Sequence, residues 1–373
     1  MESFLKQYRM VLHTVGPVFV GTGKQLDKKE YVLKRDTKEV IVFDLGKMYM
    51  QLEKRCLGQQ FQQYLLGNNK SLSRLGLGQW FSENHISPKE YGEWVRYKIN
   101  CGDLLLEKKP INVCECIKDS NDKPYIPGSS IKGMLRTVLL SYFLYHANNR
   151  EKWSVKIDSG THGYQKPNRL LQQEVREMEN QFFHTLHRKN LRGEEVDIKN
   201  AVNDVMSGFI VSDSDCLCVE DLVLCQKRDE NPEGKAHNIN ILREAIKPDV
   251  DISFTVTIDS RICPFTKQDI VEAVKFFSDR YYSEFLSKFA SADYPSGNTV
   301  WLGGGSGFHT KTVMNSLFDG RRALETTSRV LSMKRDSKNK KDIQLGISPH
   351  IVKYTNYQGK RLQFGQCELI ICD

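Results

Sequence analysis

Trp301-Leu-Gly-Gly-Gly-Ser-Gly-Phe-His-Thr-Lys-Thr312 places four glycines within the five positions from 303 to 307. Glycine at that density carries an entropy penalty that an ordinary turn does not demand, so the loop is expected to allow a close backbone approach to something. Two readings stand. In one, the loop's N–H groups, the start of a following helix and Lys311 form a concave donor surface for nucleic-acid phosphates. In the other, the loop is a flexible connector. Neither fingerprint of nucleotide binding fits, because Phe308 and not lysine follows Gly307 and the glycines are wrongly spaced for a dinucleotide turn. Nucleotide hydrolysis is disfavoured.

Downstream of this loop, Lys311 to Leu331 is expected to be helical with basic side chains exposed, and Leu362 to Ile371 to supply a last strand. The polar run Lys334 to Lys341 between them reads as a mobile loop. Upstream, Thr266 to Phe289 reads as an amphipathic helix and Leu170 to Arg188 as a charged one. Phe209 to Val211, Leu217 to Cys225 and Ile252 to Ile262 are strand candidates. At the N-terminal end, Tyr8 to Val15 is rich in strand formers and leaves through Gly16-Pro17 and the glycine loop Gly21-Thr22-Gly23. Tyr31 to Leu33 and Val40 to Phe43 form a hairpin pattern. Asp44 is placed to cap a helix, and Ser87-Pro88 to start another. Strand-like runs return at Leu104 to Leu106 and Ile111 to Ile117. Strands and helices mixed with antiparallel hairpins give an α+β fold and not a doubly wound parallel sheet.

A second motif, Pro124-Tyr-Ile-Pro-Gly-Ser-Ser-Ile-Lys-Gly-Met-Leu-Arg136, opens the long helical pattern from Ile131 to Tyr145. Ser129 and Ser130 are placed to cap it, and Lys132 and Arg136 share a face at i, i+4. That face suits successive phosphates, but the same spacing describes an ordinary helix with solvated cations. The third motif is His13 and Thr14 on the first strand, followed by Gly21-Thr22-Gly23-Lys24. A strand histidine is usually structural and needs a positioned partner to act as base or acid.

With 373 residues, 39 % hydrophobic and 27 % charged, the chain has ample material for a core, in two domains or in one with insertions. Lys and Arg outnumber Asp and Glu by 54 − 46 = 8, a surplus that suits a polyanionic partner. No apolar run approaches the roughly 18 residues that span a bilayer, and the N-terminus lacks the apolar core of a signal peptide, so a cytoplasmic location is expected. The ten cysteines include no C-x-x-C pair. Cys114/Cys116 and Cys216/Cys218 have the spacing of one strand face, and four thiolates would also suffice for zinc. Asp27, Asp213 and Asp215 are the carboxylates to weigh as metal ligands against turn and capping roles.

Together the three motifs resemble the RAMP superfamily of CRISPR proteins. The Pro124–Gly133 wording, Val211-Ser212-Asp213-Ser214 and the Gly303–Thr312 loop are most similar to the fifth-subunit family of type III-A Csm effector complexes. The resemblance runs in motif order from Thr14 to Gly365. It implies ferredoxin-like, RRM-type modules: one at 1–150 with a helical insertion, a helical linker at 151–205, and a second at 206–373 carrying the glycine loop. It also implies a subunit that caps the 3′ side of crRNA, ends the backbone filament against the adjacent RAMP subunit and takes part in crRNA maturation. The small helical subunit, target RNA and host nucleases are further implied partners. Implied RNA contacts are His13, Lys24, Ser129, Ser130, Lys132, Arg136, Gly303, Gly304, Gly305, Ser306, Gly307, His309 and Lys311. No catalytic residue, metal or cofactor is implied. The alternative is a metal-independent crRNA-processing endoribonuclease with His13 as general base.

Overall fold

Met10, Leu12 and Thr14 are buried while Arg9, Val11 and His13 between them are not, the period-two pattern of a strand with one covered face. In the computed structural model, which describes residues 4–34, 36–67, 71, 74–104, 112–162, 169–334 and 341–372, this strand is β1 (Leu5–Thr14). It is followed by β2 (Gly21–Leu26), β3 (Tyr31–Lys34), β4 (Glu39–Phe43), β5 (Val95–Asn100), β6 (Val113–Cys116) and β7 (Phe209–Val211). Then come β8 (Leu222–Glu230), β9 (Ala236–Ile246), β10 (Asp251–Asp259), β11 (Thr299–Trp301), β12 (Val352–Tyr357), β13 (Lys360–Gln363) and β14 (Gln366–Ile371).

The strands form two sheets. The first, ordered β11-β14-β1-β10-β7, is antiparallel throughout. The second runs β2-β6-β9-β8-β5-β4-β3, with β12 also pairing β8 and carrying β13 as a hairpin. The helices are α1 (Leu45–Lys54), α2 (Gly58–Leu66), α3 (Leu77–Glu83), α4 (Pro88–Tyr91), α5 (Gly128–His146), α6 (Arg150–Gly160) and α7 (Gln172–Phe183). They continue with α8 (Lys267–Glu284), α9 (Met314–Leu317), α10 (Gly320–Lys334) and α11 (Asp342–Leu345). Helices α5 and α8 lie against each other, and their Ile131, Leu135, Ile270 and Phe277 share one core with Met10, Leu12, Phe254 and Val256 of the first sheet. This is the α+β, ferredoxin-like arrangement that the resemblance implied. The segment α1–α4, with the turn 92–94 that follows it, builds a separate aromatic core of Phe61, Tyr64, Trp80, Phe81 and Trp94 against Phe43 of β4.

Local signals located several ends correctly. Asp44 accepts from Lys47 N at 3.0 Å as the cap of α1, and Ser87 N donates to Glu90 Oε2 at 2.7 Å at the start of α4. Others were overridden. Gly21-Thr22-Gly23 is not a loop but the start of the edge strand β2, which a register shift reconciles with β6. The single helix expected over Lys311–Leu331 is broken into a short turn at His309–Lys311, α9 and α10. The strand expected from Leu217 begins only at Leu222, after a turn at Val219–Asp221. Leu105, Leu106 and Ile111, and most of Lys334–Lys341, lie outside the described residues.

In the second sheet, Glu244 of β9 is fully buried, accepts from Tyr97 Oη at 2.8 Å and from Cys116 N at 3.0 Å, and pairs with the buried Lys118 ammonium. Burial raises the Glu244 carboxyl above its usual range even with this company. Three strands are thereby tied by one carboxylate. Lys118→Ala is expected to cost about 3–5 kcal/mol in urea unfolding, because it strands a buried charge, and Lys118→Met/Glu244→Met to recover most of that loss.

Candidate nucleic-acid interface

The glycine loop does make a close backbone approach, and its partner is the chain itself. Gly304 N donates to Phe19 O at 2.6 Å. A Cβ on Gly303 would lie 2.2 Å from Phe19 O, and one on Gly304 2.9 Å from the Phe19 ring. Gly303, Gly305 and Gly307 have φ of +82°, +95° and +109°, values that L side chains avoid. At Gly307 alone of the four, a Cβ would meet nothing within 4 Å. The flexible-connector reading is therefore corrected: the loop is pinned by Phe19 and by Ser306, whose buried hydroxyl donates to Gly303 O at 3.0 Å and accepts from Thr310.

His309 points inward. It is buried, its Nε2–H donates to Ser348 O at 2.8 Å, and Nδ1 has no hydrogen-bond partner. Burial pushes its pKa down to about 4, so the ring is neutral and supplies no charge to a phosphate. Lys311 remains exposed, and its ammonium is held below the usual lysine range, first by desolvation and then by the charge of Arg243.

Lys311 brings two of the motifs together. A cleft of about 350 Å³ is walled by Gly133, Arg136 and Thr137 of α5 on one side and by Phe308, Lys311 and Thr312 on the other. Its floor, with Leu140, Ile157, Met178 and Leu317, is apolar. The two α5 cations are nonetheless engaged within the protein. Arg136 pairs with Asp204 at 2.8 Å and covers the Phe183 ring at 4.1 Å, while Lys132 donates to Met206 O at 2.7 Å. Burial lowers the Lys132 pKa.

Ser129 and Ser130 do not cap α5. The helix begins at Gly128 with Pro127 as its cap residue. Gly128 N donates instead to Asp213 Oδ1 at 2.7 Å, and Ile126 N to Ser214 Oγ at 2.8 Å. A Cβ at Gly128 would meet Val211 O at 2.4 Å. The Pro124–Gly133 and Val211–Ser214 motifs are thus two halves of one clamp, with Asp213 stabilising a helix N-terminus. Asp215 pairs with Arg9, and Asp27 accepts from Lys29 N at 3.0 Å in a turn. No cluster of metal-ligating side chains occurs among the described residues. Cys116 is buried whereas Cys216 and Cys218 are exposed.

His13 has a partner that the sequence could not place: Nδ1–H donates to Asp251 at 2.8 Å, and Nε2 lies 3.9 Å from Asp249. Across β1 it also stands opposite Glu368. Lys24 is exposed on β2. Sequence reasoning missed Arg243 altogether, because Ala236–Ile246 alternates too irregularly to read as a strand. Its guanidinium covers the Phe19 ring at 5.2 Å and the Phe364 ring at 5.7 Å, directly under Gly305.

The two sheets, their helices and the pinned glycine loop over a basic cluster make an α+β protein of ferredoxin-like, RRM-type modules. The sequence model of the RAMP superfamily matches residues 11–308, and the chain belongs to that superfamily. It is 26 % identical to the "CRISPR system Cms protein Csm5" of Mycobacterium tuberculosis (strain CDC 1551 / Oshkosh), over 100 % of this chain and 99 % of that one. It is also 26 % identical to the Csm5 of Streptococcus thermophilus, over 84 % and 82 % of the two chains. Among solved structures, a chain of a type III-A Csm–crRNA–target RNA ternary complex shares the fold with TM-score 0.65 at 17 % identity, covering 98 % of this chain and 100 % of that one. The crystal structure of T. onnurineus Csm5 matches with TM-score 0.57 at 17 % identity, over 96 % of this chain and 99 % of that one.

Two outcomes follow from this geometry. Gly304→Ala should destabilise by about 1–3 kcal/mol through overpacking against Phe19, and Gly305→Ala by a similar amount through backbone strain, both read as a lowered thermal midpoint. His309, with a folded pKa of about 4 against 6.5 unfolded, takes up its proton only in the unfolded chain as pH falls between those values. Stability present at pH 7 should drop by roughly 3 kcal/mol across that window, and His309→Gln should flatten the dependence in urea unfolding at pH 7 and 4.5.

Proposed function

We propose that this chain is the Csm5-type subunit of a type III-A CRISPR effector complex, a cytoplasmic RNA-binding scaffold that caps the 3′ side of crRNA. In this reading it ends the filament of backbone RAMP subunits and takes part in crRNA maturation and length definition during antiviral defence, with trimming done by other nucleases. Its partners are crRNA and the adjacent backbone subunit, and beyond them the small helical subunit, target RNA and host nucleases.

The observation that carries the proposal is the convergence of Phe308–Thr312, the segment that follows the glycines, and the Gly133–Leu140 stretch of α5 on one cleft, with Lys311 exposed at its wall and apolar side chains at its floor. Cations at a rim and apolar surface within are what a single-stranded backbone and its unstacked bases require. The full-length likeness to Csm5 proteins supports the same reading.

The endoribonuclease reading gains one observation, since Asp251 orients His13 as a general base requires. Asp249, Asp251 and Glu368 around that histidine, however, surround it with negative charge, which repels the phosphates of a substrate.

Purified protein is expected to bind single-stranded repeat-derived RNA with an affinity that falls steeply as salt rises from 50 to 200 mM, by on the order of tenfold for each two to three phosphates contacted. Affinity that is flat over that range would count against the scaffold. No cleavage of labelled crRNA or target RNA is expected with or without magnesium, and RNA cutting that disappears in His13→Ala would establish the endoribonuclease instead.

A further inference from the structure

Arg243, beneath the glycine loop, has guanidinium nitrogens that no group among the described residues satisfies. Its Nε and Nη1 are buried without a hydrogen-bond partner, and no ion pair of this side chain occurs among the described residues. Arg228 on β8 also keeps a buried Nε without a partner, whereas Arg280 pairs with Asp319 and Glu284, and Arg361 with Glu230; Arg243 differs from all three in leaving two guanidinium nitrogens unmet. A guanidinium left in a partly enclosed place without an anion is costly to fold, so an anion from outside is the natural complement.

The neighbours of Arg243 are cations. Lys227 on β8 and Lys311 after the loop are both depressed in pKa, Lys227 to about 8, chiefly by desolvation, and the charge of Arg243 adds to the shift in each. The carboxylate whose charge acts on Arg243, Asp229, is already shared by Lys353 at 2.6 Å and Lys227 at 3.8 Å. The Phe19 and Phe364 rings hold the guanidinium plane, and a Cβ at Gly305 would lie 3.0 Å from Nη1, so a side chain there would occlude it.

We propose that Arg243, flanked by Lys227 and Lys311 beneath Gly305, forms a phosphate-binding site that takes one backbone phosphodiester of the bound RNA. The site rests on the RNA-binding reading above and assigns it a central residue. Arginine suits the task because its guanidinium keeps its charge when partly enclosed; with Nε and Nη1 buried, Nη2 is the nitrogen left to donate to a phosphate oxygen, and the aromatic rings fix the guanidinium plane before the ligand arrives.

The test is Arg243→Met in the full chain, with Lys311→Gln as a second variant on the exposed side. A residue kept for structure should lower the thermal midpoint when changed. A residue kept for phosphate should leave the midpoint unchanged or raised, because an unpaired charge has been removed. RNA affinity should fall roughly tenfold to a hundredfold, the loss of a hydrogen-bonded charge contact, and the salt slope should shrink by about one. Lys311→Gln should shrink the slope similarly. Inorganic phosphate should raise the midpoint of the wild-type protein and not that of Arg243→Met. Wild-type RNA affinity and slope in Arg243→Met overturn the site while leaving the RNA scaffold intact. Failure of Arg243→Met to fold, with normal RNA binding by Lys311→Gln, overturns it as well. If wild-type protein binds no RNA, the scaffold reading falls. A phosphate-dependent midpoint lost in Arg243→Met would then keep the anion site as a property of the fold, and its absence would remove both.

Discussion

The pairing of β1 on both its edges governs the rest of the molecule. One edge runs against β10, from Leu5 opposite Asp259 to His13 opposite Asp251, and the other against β14, from Met10 opposite Ile371 to Thr14 opposite Cys367. A strand held on two sides has no freedom of register, since a slip by one residue would turn Met10 and Leu12 out to solvent. The chain leaving β1 is therefore delivered to a fixed place. Val15 N and Gly16 N both donate to Gln366 O, and Val18 exchanges hydrogen bonds with Ile246 at the end of β9. Residues 15–20 thus bolt the first sheet to the second. The Phe19 carbonyl, projecting from that bolt, is what the glycine loop grips.

From this constraint the geometry of the candidate site follows. Because Phe19 O receives Gly304 N, and because Gly365 N donates to Pro17 O, the loop lies flat on its floor and cannot carry side chains at 303 and 304. Glycine here serves backbone-to-backbone contact within the protein. The same floor contains Arg243, whose strand β9 meets the bolt at Ile246. The cationic cluster and the glycine loop are therefore two consequences of one junction between sheets.

Charge is distributed unevenly over the two surfaces. On the open face of the first sheet, His13 lies in a row with Asp251 and Glu368, and Arg9 of the same strand is taken by Asp215. At the glycine loop the balance reverses, with Lys227, Lys353 and Arg243 around Asp229 and Lys311 beside Arg243. A net charge of +8 would say little about where a polyanion binds if it were spread evenly. The local cluster of cations at the loop is a property of the folded chain.

The sequence by itself determined the features that depend on near neighbours in the chain. The β1 alternation, the Asp44 and Ser87 starts of α1 and α4, the long helix after Pro127 and the glycine loop as a place of close approach all follow from periodicity, capping and the missing Cβ, and all act within a few residues. The motif order likewise sufficed to place the chain among the RAMP proteins. What only the tertiary structure decided is which groups meet. Asp213 reaching Gly128, Asp251 reaching His13 and Phe19 filling the space above the glycines join residues 85, 238 and more than 280 positions apart, and no local pattern encodes such pairs. Arg243 was invisible for the same reason: its strand is polar in sequence and becomes interior only when β6 and β8 close on either side of it. Periodicity reports how a segment meets water, whereas a site is defined by what distant segments bring to one another.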